Sequence, residues 1–309
     1  MDFEILIEDR FLNLSTDPTL QPVDRKHVLS LLNDFQDGKW RHSKFHNFIW
    51  DNIAETSLSF SERESLVDQS RTKLVAAAQS LRLTDSLDDV GKGSELAEIV
   101  LYGIMKNHFG ALPVVPKIFY KQNAQDNAKG ADSVHIVIDS NNDFTLWFGE
   151  AKFFNSIDDS RLGEIVKSVS SSLDTAKLKR ENSIITNLSD IDRLLPDKDL
   201  CIEIKKSLNS QESIDNIKPK IHIPILLLHE CNITSKNTCL TDEYKQSIHT
   251  FHKNRATAYF KKHIKAIKSI HLYESITFHL ILFPVPEKKM IIDRFVADVK
   301  HYKGAASDE

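Results

Sequence analysis

Three residues in the middle of the chain have the types and spacing for phosphodiester chemistry. Asp132 follows Gly130-Ala131, and Glu150-Ala151-Lys152 follows Trp147-Phe148-Gly149. The runs Ser133–Ile138 and Phe144–Phe153 are rich in β-branched and aromatic residues. Between them lies Asp139-Ser140-Asn141-Asn142-Asp143, a strong turn signal, so the spacing predicts a hairpin. Side chains alternate along a strand, which puts Glu150 and Lys152 on one face. A hairpin symmetric about Asn141-Asn142 sets Asp132 opposite Ala151, within one residue of Glu150. Two carboxylates and one ammonium then converge at the open end of the hairpin.

That set suits metal-dependent hydrolysis. Asp132 and Glu150 offer hard oxygen ligands to Mg2+, or to Mn2+, and the Ala151 carbonyl offers another. A bound metal polarises the phosphate and acidifies a water. Lys152 can orient that water or offset charge on the transition state. The alternative is a turn aspartate beside a solvated strand end, since D…E-x-K triplets also arise by chance. The apolar Leu146-Trp147-Phe148 running directly into charge speaks for a site.

A third carboxylate precedes the hairpin. Ser94–Phe109 reads as a helix with few polar gaps. Leu96, Ile99, Val100, Gly103 and Ile104 form one apolar face, with Leu101, Tyr102 and Met105 beside it. Glu98 falls among them, and a buried carboxylate needs a partner or a metal. Glu95 lies nearer the helix start, where a carboxylate favours the dipole. Glu98 is therefore the preferred site residue and Glu95 the reserve.

Residues 251–271 carry Lys253, Arg255, Lys261, Lys262, Lys265 and Lys268 without one acid, interleaved with Phe251, Tyr259 and Phe260. This stripe is a candidate track for DNA phosphates or a partner, or else a solvated helix face. Lys129, in the loop before Asp132, can also reach a phosphate. His229, Cys231, Cys239 and His249 have no zinc-site spacing and read as buried thiols and a strand-end imidazole.

The remaining elements must position these residues. Phe3, Ile5 and Ile7 alternate as in a short strand. Val28, Leu31, Leu32 and Phe35 recur at helical spacing, and Trp40–Ile53 reads as an aromatic-rich second helix. Ser61-x-x-Glu64 is a capping box that predicts a helix through about Leu81. Residues 1–90 thus read as a mostly helical N-terminal region and a candidate docking surface, bounded by the polar stretch Thr84–Gly93. Residues 91–309 read as one unit. After the helix come a strand over Val114–Lys121, the hairpin, and a helix lined by Leu162, Ile165, Val166, Val169, Leu173 and Ala176. The polar segment 181–219 carries no motif. Strands at Ile221–Leu228 and Ile276–Phe283 flank the basic helix at about Asp242–Ile270. This order predicts an α/β fold with a mixed sheet flanked by helices.

Composition narrows the classes. The 309 residues are 41% hydrophobic and 27% charged, as in an ordinary globular protein, and the net charge is −4. Three cysteines make no disulfide framework, which points to a reduced, cytoplasmic compartment. The charged opening MDFEILIEDR is not expected to act as a signal peptide, and no apolar run is long enough to span a membrane. Gly91-Lys92-Gly93-Ser94 lacks the order of a P-loop, and G-x-G-x-x-G and H-E-x-x-H are absent.

Glu98, Gly130-Ala131-Asp132 and Gly149-Glu150-Ala151-Lys152, in α-β-β-β-α order, resemble the PD-(D/E)XK nuclease superfamily. Ala131 stands where that motif has proline, a departure common in the superfamily. Three stretches look like the HamA effectors of the Hachiman anti-phage system: GSELAEIVLYGIM, then KGADSVHIVI with LWFGEAKFF, then IHIPILLL with FHLILFPVP. The resemblance covers residues 91 to about 290. It implies a restriction-endonuclease-like fold and a metal-dependent DNA nuclease that works with a superfamily 2 helicase, HamB. It also implies Asp132, Glu150 and Lys152 as the catalytic core, with Glu98 or Glu95 as the helix carboxylate. A catalytically silent module that binds DNA or regulates a helicase is the alternative, and a stand-alone restriction enzyme a third. The intact Asp132, Glu150 and Lys152 favour an active enzyme.

Overall fold

The computed structural model describes residues 3–82, 89–116, 118, 131–187, 190–195, 197–209 and 211–304. Its strands are β1 (Glu4–Arg10), β2 (Lys26–Leu32), β3 (Phe35–Gln36), β4 (Lys39–Trp40), β5 (Leu112–Val115), β6 (Ser133–Ile138), β7 (Phe144–Phe154), β8 (Ile221–Glu230) and β9 (Thr277–Val285). Seven of them form one mixed sheet in the order β1-β2-β9-β8-β7-β6-β5, and β3 and β4 pair separately. The central four strands, β2, β9, β8 and β7, run parallel. β1 at one edge, and β6 and β5 at the other, are antiparallel to their neighbours.

The central strands are apolar on both sides because helices cover both sides. Phe144, Leu146, Phe148, Ile223, Ile225, Phe278 and Leu280 pack with helices Asp159–Ser172, Thr175–Asn187, Lys198–Ser207 and Asp242–Ile267. Trp147, Ala151, Phe153, Leu226, Leu228 and Ile281 pack with helices His42–Ser57, Ser70–Gln79, Asp89–Phe109 and Lys288–Gly304. The α/β expectation with a mixed sheet therefore holds.

The N-terminal third differs in detail. Val28, Leu31 and Leu32 lie on strand β2, not on a helix. β2 sits between β1 and β9 with five consecutive residues buried, so the period-2 alternation that marks a half-exposed strand is erased. What remains imitates helical spacing. β1 and β2 complete the same sheet that carries the hairpin. The capping box is Ser59 with Glu62, two residues earlier than expected, and both of its reciprocal hydrogen bonds are present. It opens only Phe60–Ser65; a second helix, Ser70–Gln79, follows a turn in which Asp68 has φ 65°.

The hairpin is present with a shifted register. Ser133 pairs with Gly149, which brings Asp132 alongside Glu150 rather than Ala151. The loop holds three residues, Ser140–Asn142, instead of two. Asn142 takes a left-handed conformation at φ 60°, as three-residue hairpin loops require at that position. The Asp139 carboxylate accepts the Asn141 and Asp143 N–H groups at 2.8 and 3.0 Å and sets the turn.

Candidate active site

The shifted register brings the three hairpin residues into contact. Lys152 Nζ lies 2.7 Å from Glu150 Oε1 and 3.4 Å from Asp132 Oδ2. The same Asp132 oxygen accepts the Ala151 N–H at 3.1 Å. Asp132 is held in turn by its own N–H, which donates to the Gly149 carbonyl at 2.8 Å. Glu150 is only 5% exposed. Its Oε1 also accepts the Ser168 hydroxyl at 2.5 Å.

Burial raises the Glu150 pKa, and the neighbouring Asp132 charge raises it further, against Lys152 and Ser168. Burial alone would lower the Lys152 pKa. The Asp132 and Glu150 carboxylates outweigh it and hold the amine above its ordinary value. The lysine is thus a built-in counterion shared by two carboxylates.

Gly149 lets the site close up. A Cβ there would meet Ser133 Oγ at 2.1 Å and Leu101 Cδ2 at 2.7 Å. Only a glycine allows β6, β7 and helix Asp89–Phe109 to approach so closely beside Glu150.

Glu98 comes from the other helical layer. It is 3% exposed and lines a small cavity with Asp132, Ser133 and Tyr102. Glu95 is engaged elsewhere, since both of its oxygens lie 3.1 Å from the Arg82 amide nitrogen. Glu98, the preferred helix carboxylate, is the one brought beside Asp132. Among the described residues no three His, Cys, Asp or Glu side chains converge as a metal cage. The oxygen donors grouped here are the Asp132 and Glu150 carboxylates, bridged by the Lys152 ammonium. That suits Mg2+, which keeps several waters and takes few protein ligands. Ala151 is buried with its side chain on the opposite face, and it is its N–H that meets Asp132.

The HamA family model matches residues 7–299, from the first strand of the sheet to the last helix. The chain belongs to the HamA family. A search of curated proteins finds no match.

In this HamA-family chain the basic stripe is divided. Arg255 and Lys262 both pair with Asp159, at 3.1 and 3.5 Å, and Lys261 pairs with Asp17 at 3.0 Å. Lys265 and Lys268 are exposed and Lys253 half-buried, with no ion pair among the described residues. Tyr259 and Phe260 are fully buried core residues, so they give no platform for stacking bases. Lys129 lies outside the described residues. His229 is fully buried and bonded to the Leu227 carbonyl at 3.0 Å, as a structural imidazole.

Two polar residues near the site escaped the sequence reading. One is Ser168 on Glu150. The other is Glu181, 3% exposed, whose Oε1 accepts the Ala131 N–H at 3.1 Å and holds the backbone just before Asp132. Glu181 carried a legible signal. It stands with Asn182 inside the buried stripe Leu178, Glu181, Asn182 and Ile185, where an apolar residue is the rule.

Proposed function

We propose that this protein is a metal-dependent DNA nuclease, the effector of a bacterial anti-phage complex with a helicase partner. The observation that carries the reading is the single ammonium shared by Asp132 and Glu150 at the open end of the hairpin. A magnesium ion, when bound, supplies Lewis-acid polarisation of the phosphate and an acidified water. Asp132 and Glu150 would hold it. Lys152, protonated across the neutral range, stands beside them to place a donor against charge that builds on the phosphate. Glu98 closes the cavity under Asp132.

Membership of the HamA family and the resemblance to Hachiman effectors support the defence role and the helicase partner. No helix among the described residues is long and apolar enough to cross a membrane. A nuclease site that reads only a phosphodiester needs restraint inside its own cell. A motor subunit that admits suitable DNA supplies that restraint.

The absence of a third converging ligand among the described residues favours a second reading, a silent module that binds DNA. One experiment separates the two. Purified protein, alone and co-expressed with the helicase, is incubated with linear and circular DNA, with Mg2+ or Mn2+, with EDTA, and with and without ATP. Cleavage that needs the metal and falls about 100-fold or more in Glu150→Gln is expected. DNA binding without metal-dependent cleavage under every condition would establish the silent module instead.

A further inference from the structure

We infer that Ser168 is a positioning residue that decides which oxygen of Glu150 faces an incoming cation; this rests on the metal-dependent reading above. Among the described residues, two donors reach Glu150 and both converge on one atom. The Ser168 hydroxyl meets Oε1 at 2.5 Å and the Lys152 ammonium meets it at 2.7 Å. Oε2 takes no hydrogen bond from the described residues. A carboxylate anchored through one oxygen has its torsion set, and its second oxygen is left to bind.

Lys152 cannot hold that torsion by itself. Its ammonium is shared with Asp132, and a cation entering between the two carboxylates competes for the place it occupies. Ser168 is neutral and has no such conflict. It keeps its grip on Oε1 when the lysine yields. Its own position is fixed by packing rather than by a long stem. Leu162, Ile165, Val166 and Val169 are buried around it, and Asp158 caps the helix start by accepting the Ser160 and Arg161 N–H groups at 2.9 and 3.1 Å.

The neighbouring Ser172 shows the contrast. Serines inside helices commonly bond back to their own helix, and Ser172 does so, to the Val169 carbonyl at 2.8 Å. Ser168 instead reaches across to the strand. A hydroxyl turned away from its local acceptor toward a buried carboxylate matches the outer-layer supports that orient metal-binding groups.

The test titrates Mn2+ alone into the metal-free, full-length protein by calorimetry, comparing wild type, Ser168→Ala, Ser168→Thr and Glu150→Gln. Thermal melting without metal checks each fold. Wild type is expected to bind Mn2+, and Glu150→Gln to lose that binding. Ser168→Ala should weaken it about 10-fold or more while melting near wild type, and Ser168→Thr, which keeps the hydroxyl, should restore it. Wild-type affinity in Ser168→Ala, or equal losses in the alanine and threonine variants, would overturn the positioning role and leave the nuclease reading standing. Wild type that takes up no Mn2+ sensitive to Glu150→Gln would overturn both.

Discussion

Lys152 sits where the electrostatics of the site and the proposed reaction call for the same charge. It neutralises part of the buried Glu150 and separates it from Asp132. Removing it leaves two carboxylates facing each other without the ammonium between them. Lys152→Ala should therefore abolish cleavage and also cost about 1–3 kcal/mol of stability at neutral pH, less than a fully buried pair because the amine is partly solvated. The loss should shrink when Mg2+ is added, since the ion supplies the missing cation. Chemical denaturation with and without Mg2+ checks this; a variant as stable as wild type in both would show that the lysine carries no electrostatic load. The hairpin triplet and Glu98 were legible in the sequence because their signals are local. Strand alternation aligned Glu150 with Lys152, and a helix apolar nearly all round made Glu98 conspicuous. Ser168 was not legible, because its role depends on how helix Asp159–Ser172 docks over β7.

The hairpin loop fixes what the strands deliver. Asn142 at φ 60° closes a three-residue loop, and that one residue of length moves Asp132 from Ala151 to Glu150. Asn142→Gly should be tolerated, whereas Asn142→Ala should destabilise by about 1 kcal/mol, because a Cβ without a local polar partner resists the left-handed region. Urea melts of both variants check the ordering; an alanine variant as stable as the glycine one would contradict it. From Ser94 onward the long helix, the hairpin strands and the largely apolar β8 and β9 were readable from turn signals and β-rich composition, whereas the helices within the polar segment 181–219 were not. β2 imitates a helix in sequence for a related reason. Burial on both sides leaves no pattern to distinguish strand from helix in seven residues. The long-range ion pairs of Lys261 with Asp17 and Arg255 with Asp159 likewise leave no trace in local sequence.

Across the whole molecule, burial keeps several histidines neutral. His46, His222 and His229 are each pushed down to about 4. Their unfolded value is near 6.5, so above that pH folded and unfolded chains bind protons alike and stability is flat. Between about 6.5 and 4 the unfolded chain takes up protons that the fold excludes, and stability falls with pH. Each group contributes up to about 1.4 kcal/mol per pH unit in that window. Thermal melts from pH 7.5 to 5 should show a falling midpoint; a constant midpoint would mean that these imidazoles are solvated. The lysine bridge has a different consequence at this scale. Because the protein carries its own cation between Asp132 and Glu150, its fold should form without a metal. EDTA should stop the proposed cleavage while leaving a cooperative melting transition, its midpoint lowered only by the modest free energy of metal binding, and added Mg2+ should restore the lost rate at once, without refolding. The chain would then be a metalloenzyme in its reaction alone, able to be made, stored and delivered to a partner in the metal-free form.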